Sequence, residues 1–139
     1  FLSERKHIVR VRTHHGQKLS DLNEKLKNKY KSMVQSSDTG IFVCGTNSIS
    51  NLSASKCIEE AESIIKTTKL INPNMNICMV TIPFRSRPLN EGTFGKIAEY
   101  NKQLKLLCYS QKVEFLRVTF EKGMLYDKLH PNSLGYQLM

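Results

Sequence analysis

The sequence predicts an α/β fold in three layers, helices on both faces of a parallel sheet in a doubly wound, flavodoxin-like order. Three observations predict it. Hydrophobic periodicity alternates between two and about 3.6 along the chain, the signature of repeated βα units. Two apolar runs in the middle, Ile41–Cys44 and Ile77–Ile82, show no alternation and read as strands buried on both faces. The runs at either side, His7–Arg12 and Val113–Val118, do alternate and read as the borders of the sheet.

In order, His7–Arg12 sets Val9 and Val11 on one face and Arg10 and Arg12 on the other. Leu19, Leu22, Leu26, Tyr30 and Val34 then recur at helical spacing, with Ser20 as N-cap and Asp21 and Glu24 in the first turn. Ile41–Cys44 ends in Gly45. Ser53 or Ser55 caps a helix whose inner stripe is Cys57, Ala61, Ile64, Ile65 and Thr68, ending before Asn72-Pro73. Pro83 stops the strand Ile77–Ile82. Phe94, Ile97, Leu104, Leu107 and Cys108 line a helix from about Gly92 to Tyr109, and Pro131 with Asn132 or Ser133 opens a last one. In the order 2-1-3-4-5 the edge strands are the second and the fifth, so the pattern fits a chain that starts at strand two, its first strand missing. A single domain over residues 1–139, trimmed at both ends, is the expectation.

The 139 residues have a mean hydropathy of -0.37, and apolar runs stop at about five residues against the roughly 20 a bilayer span requires, so a membrane protein is disfavoured. Cys44, Cys57, Cys78 and Cys108 form no C-x-x-C pair, which argues against zinc and redox motifs. They read as reduced thiols of an intracellular, cytoplasmic or nuclear protein. The net charge of +9 is uneven. Residues 1–35 carry nine Lys/Arg against three Asp/Glu, among them Lys25, Lys27, Lys29 and Lys31, which raises nucleic acid or another anion as a partner. A solvated helix face accounts for the same lysines, since no aromatics interleave with them.

Ligands of such a sheet bind at the carboxyl ends of its strands. The loops there are polar: Thr13-His14-His15-Gly16-Gln17, Gly45-Thr46-Asn47-Ser48, 83–91, and the stretch reaching Asp127, His130 and Asn132. Asp127 and His130 are three apart before a helix, a spacing that lets a carboxylate orient an imidazole. The Gly16 N–H and the Asn47 amide would together make an oxyanion hole. Each residue also has a plainer role: Gly16 as a turn, Asn47 as a loop cap, His130 as a solvent-facing histidine. His14 and His15 read as surface residues rather than metal ligands, and Arg85 and Arg87 as solvent-exposed or as a steering pair for an anion.

Gly16, then Gly45-Thr46-Asn47, then Asp127-Lys128-Leu129-His130-Pro131 resemble, in this order, three of the four signature blocks of the SGNH (GDSL-type) serine hydrolases. The resemblance covers nearly the whole chain, and it extends to the esterase domains in first-reading-frame proteins of some non-LTR retrotransposons. It implies an ester hydrolase using no cofactor and no metal. His130 is then the base, Asp127 its orienting carboxylate, and Gly16 and Asn47 the oxyanion donors. Two departures stand out. The Gly-Asp-Ser block is absent, its nucleophile expected upstream, and Ser3 lacks the turn residues that would replace it. Ser48 stands where the family commonly has Asp. The resemblance also implies an alternative, a noncatalytic member of the fold that binds RNA through its basic surface. Substrate in the first case is a small ester or an acetylated compound.

Overall fold

A computed structural model describes residues 9–12, 17–83 and 91–118. Its elements are α1 (Leu19–Lys27), α2 (Lys31–Gln35), β1 (Thr39–Phe42), α3 (Thr46–Ile49), α4 (Ala54–Ile71), β2 (Asn76–Val80), α5 (Glu91–Gln111) and β3 (Glu114–Leu116). The three strands form a parallel sheet in the order β1-β2-β3, as the βα alternation requires. Because the order follows the chain and such crossovers are right-handed, α4 and α5 fall on the same face. They pack against each other, and α1 packs on the far side of α4.

That packing follows from the stripes. Cys57, Ala61, Ile64, Ile65 and Thr68 of α4 are all buried, Ser53 caps the helix by accepting the Lys56 N–H at 3.1 Å, and Asn72 ends it. Each fully buried isoleucine contributes about 1.5–3 kcal/mol through apolar area removed from water. From the other helices, Leu19, Leu22, Leu26, Tyr30, Val34, Ile97, Tyr100, Leu104, Leu107 and Cys108 join the same cluster.

The sheet meets this layer with one face only. Register sets Ile41 beside Cys78 and Phe42 beside Met79, then Cys78 beside Glu114 and Met79 beside Phe115. Ile77 and Met79 are buried in the core, with Phe42 and Phe115 packed against it. On the opposite face Ile41 is 63% exposed and Leu116 39%, and Val80 is buried but outside the core cluster. All described helices therefore belong to one layer. The helix expected after Pro131 lies outside the described residues.

Several expectations need correction. The helix drawn through Leu19–Val34 is two helices, because Asn28 leaves helical geometry at φ −125°, ψ −84° and turns its amide back to the Glu24 carbonyl at 3.0 Å. Ser20 does not cap it; Lys18 holds the N-cap position, and Ser20 lies inside the first turn. β1 runs over Thr39–Phe42 rather than Ile41–Cys44, and it is not buried on both faces, since the exposed side carries Ile41 and Val43. Among the described residues β1 pairs with β2 alone, so the strand expected to be central borders this sheet. Residues 9–12 belong to no strand, and Val9 and Val11 are exposed. Among the described residues no strand offers them a ladder partner, since the sheet consists of β1, β2 and β3. β3 is shorter than Val113–Val118. In α5, Phe94 is half exposed and Tyr100, not expected in the stripe, is fully buried, because the core reaches the helix only from Ile97 onward.

Candidate active site

The chain leaves β1 through Val43 and Cys44 to Gly45, whose φ of +106° is available without strain only to glycine. A Cβ there would stand 2.9 Å from the Ile82 side chain and 3.6 Å from the Tyr100 hydroxyl. The left-handed residue turns the chain sharply into α3, a single turn opened by Gly45 as N-cap and carrying Thr46, Asn47 and Ser48. Sequence patterns gave no sign of this turn of helix.

Two side chains of α3 reach back across about thirty residues to the start of α1. Asn47 Nδ2 donates to the Gln17 carbonyl oxygen at 3.2 Å. Ser48 Oγ, buried, accepts the Leu19 N–H at 2.9 Å. Lys25 Nζ also holds the Gln17 side chain, donating to Oε1 at 3.0 Å. The loop after β1 is thereby tied to the residue that follows Gly16. Of the four expected site residues, Asn47 is described and lies at the carboxyl end of a strand, as expected; Gly16, Asp127 and His130 lie outside the described residues, as do His14, His15, Arg85 and Arg87.

The rest of this rim is held rigid. Asn101 of α5 accepts the Ile82 N–H at 2.9 Å and donates to the Ile82 carbonyl at 2.8 Å, replacing a ladder partner just past the end of β2. Thr81 donates its N–H to Leu116 at 3.0 Å, and its Oγ1 accepts the Val118 N–H at 3.0 Å. Lys96 Nζ donates to the Ile49 carbonyl at 3.3 Å, anchoring the end of α3 to α5.

The described thiols are poor nucleophiles. Burial pushes Cys44 up to about 12, and burial with the nearby Glu60 carboxylate takes Cys57 to about 11 against the opposing Lys96. Cys108 is raised to about 11, chiefly by burial and then by Cys78. A thiol so far above neutrality carries almost no thiolate at pH 7, so cysteine chemistry does not account for this rim. Among the described residues no three His, Cys, Asp or Glu gather as metal ligands.

Ser48 and Gln17 were not singled out as contacts by sequence reasoning. The sequence carries no signal for them, because the start of α1 at Lys18, which has no side-chain oxygen to cap it, is seen only in the fold.

No protein-family model and no curated protein matches this chain. Solved structures do. A carbohydrate esterase of family 3 from Talaromyces cellulolyticus superposes with a TM-score of 0.67 at 21% identity, over 89% of this chain and 63% of that one. A protein described as a GDSL-like lipase from Parabacteroides merdae gives 0.73 at 18% identity, over 88% and 65%. An acetyl-xylooligosaccharide esterase from Geobacillus gives 0.69 at 14% identity, over 88% and 64%. The chain has the fold of these esterases. It spans less than two thirds of the length of each of the three.

Proposed function

We propose that these residues belong to an SGNH-type ester hydrolase acting on acetyl or other short-chain esters. The observation that carries the reading is the Asn47 amide, held at the carboxyl end of β1 and bonded to Gln17, in a fold shared with acetyl esterases. Asn47 has a second N–H on the same nitrogen, and Gly16 adjoins the residue it grips. Paired with the Gly16 N–H, that second donor would suit the oxyanion of a tetrahedral intermediate.

In this mechanism a serine upstream of Phe1 in the parent polypeptide attacks the ester carbonyl while His130 takes its proton. Asp127 holds the imidazole in one tautomer and stabilises its charged form. Charge developing on the carbonyl oxygen is received by the Gly16 N–H and Asn47 Nδ2. The intermediate collapses as His130 returns the proton to the departing alcohol, and water activated by the same histidine then releases the acyl group. An intracellular setting is supported by four cysteines without a disulfide.

The test is hydrolysis of 4-nitrophenyl acetate by the full-length polypeptide. His130→Ala is expected to lower kcat by about a thousandfold or more, and Asn47→Ala by about a hundredfold. A full-length protein without a serine in the nucleophile position, or without activity on any short-chain ester, overturns the reading.

A second reading, RNA binding, draws on Lys27 and Lys31, which line one shallow groove with Thr67, Leu70 and Ile71. No aromatic side chain lines it, so contact there would be with phosphates rather than stacked bases. Lys27→Ala with Lys31→Ala would flatten the salt dependence of RNA binding and leave ester hydrolysis unchanged. An active esterase whose hydrolysis and hydrodynamics are indifferent to added RNA removes this partner.

A further inference from the structure

We infer that Ser48 is a positioning residue, the clamp that aims the Asn47 amide by pinning the start of α1; this inference rests on the ester-hydrolase reading above. It begins from an unmet need. The first N–H groups of a helix have no partner within it, and an N-cap side chain with an oxygen normally supplies one. At α1 the N-cap is Lys18, whose ammonium cannot accept. Asp21 Oδ2 takes the Lys18 N–H at 3.0 Å, which leaves the Leu19 N–H, at a residue with no solvent exposure. A buried donor without an acceptor is costly, so the site must be served from outside the helix. Ser48 serves it at 2.9 Å across 29 residues of sequence.

The neighbouring bond converts this cap into a device for the site. Asn47 and Ser48 are adjacent in one turn of helix, and they grip Gln17 and Leu19, two residues apart at the entry of α1. A single bond to Gln17 would fix a distance and leave the amide free to swing about it. With Leu19 also held, the entry segment and α3 become one rigid pair. The Asn47 amide plane is then set by the Gln17 carbonyl, and its second N–H has one direction. Gly45 at φ +106° and the Lys96 bond to Ile49 hold the two ends of α3, so a loosened Ser48 bond would be felt at the Asn47 amide and at Gln17. Donors aimed before the reaction begins cost no reorganisation in the transition state, and for that reason a misaimed donor lowers kcat more than it changes substrate binding.

Three substitutions test the clamp. Ser48→Ala removes the acceptor, Ser48→Cys keeps the volume with a sulfur that accepts weakly, and Ser48→Thr keeps the oxygen. In 4-nitrophenyl acetate hydrolysis by the full-length protein, Ser48→Ala is expected to lower kcat by about ten- to a hundredfold with KM within about twofold, Ser48→Cys to fall between, and Ser48→Thr to return to within a few-fold. Thermal unfolding checks that each variant is folded at the assay temperature, and Ser48→Cys provides the reading should Ser48→Ala not fold. The second readout does not depend on activity. In the 139-residue chain, the two Asn47 side-chain amide protons, assigned by their loss in Asn47→Asp, are expected to be well separated in the wild type and to move toward solvent-averaged positions in Ser48→Ala, with Ser48→Thr restoring them. Unchanged amide protons in Ser48→Ala overturn the clamp, as does an unchanged kcat in an active parent, or a Ser48→Thr that is folded and as slow as Ser48→Ala. If the parent hydrolyses no ester while the amide protons move as expected, the hydrolase reading fails and the Ser48–Asn47 coupling stands.

Discussion

The two faces of the sheet have similar strand residues, yet on the face away from the helices Val80 alone of the described strand residues is buried. Toward the helices, Ile77 and Met79 are buried and Phe42 and Phe115 pack against the core; on the other side Ile41 and Val43 are 63% and 49% exposed. Hydrophobicity of a strand residue therefore does not decide its burial here. Chain order decides it, because three parallel strands laid down in sequence with right-handed crossovers send both connecting helices to one side.

The sharpest way to break this contrast is to remove equal amounts of apolar matter from the two sides. Leu104→Ala, within the helix layer, is expected to destabilise by about 2–5 kcal/mol in urea unfolding, because a buried side chain leaves a cavity. Leu116→Ala on the open face is expected to cost under about 1 kcal/mol. Equal losses would mean that the open face is covered in solution.

Thiol titration sharpens the contrast next. Cys57 and Cys108 lie in the helix layer and are raised to about 11, whereas Cys78 sits on the open face, raised by partial burial and then by Glu114. In each case the folded protein holds its proton more tightly than the unfolded chain, whose thiols ionise near pH 9. The stabilisation is complete below that pH and is lost as pH rises toward 11, on the order of 2 kcal/mol for each buried thiol. Urea midpoints measured from pH 8 to pH 11 check the direction. Iodoacetamide at pH 8 is expected to label Cys78 before Cys57 and Cys108, and labelling in the reverse order would contradict the two-face arrangement.

Smaller effects follow at the rim. Gly45→Ala is expected to cost about 1–2 kcal/mol, from the left-handed φ and from a Cβ only 2.9 Å from Ile82, read as a lower urea midpoint. Ile41→Thr should leave stability within about 0.5 kcal/mol, since the side chain is largely in water already, and reduce self-association by making the exposed edge less apolar. Light scattering with the urea curve would check both halves.

The helical stripes were legible because a buried face repeats every 3.6 residues whatever it packs against: every residue assigned to the α4 stripe is buried, and Leu22, Leu26, Tyr30 and Val34 stay buried though the helix breaks at Asn28. Parallel pairing was legible from the alternation of strand and helix. Asn47 at the end of a strand was legible too, since its place follows from local order along the chain. The exposure of Ile41 was not, because an apolar run records the composition of a strand and not what lies opposite it. Nor was Ser48 as the cap of α1, or the Asn47 bond to Gln17, since each joins residues about thirty apart that no local pattern relates. By itself the sequence determined the buried stripes of the main helices, the parallel order of the strands and the place of Asn47 just after one of them, all of which depend on neighbours in the chain. Only the tertiary structure decided which strand face is covered and which side chains hold Asn47, because those depend on groups brought together by the crossovers.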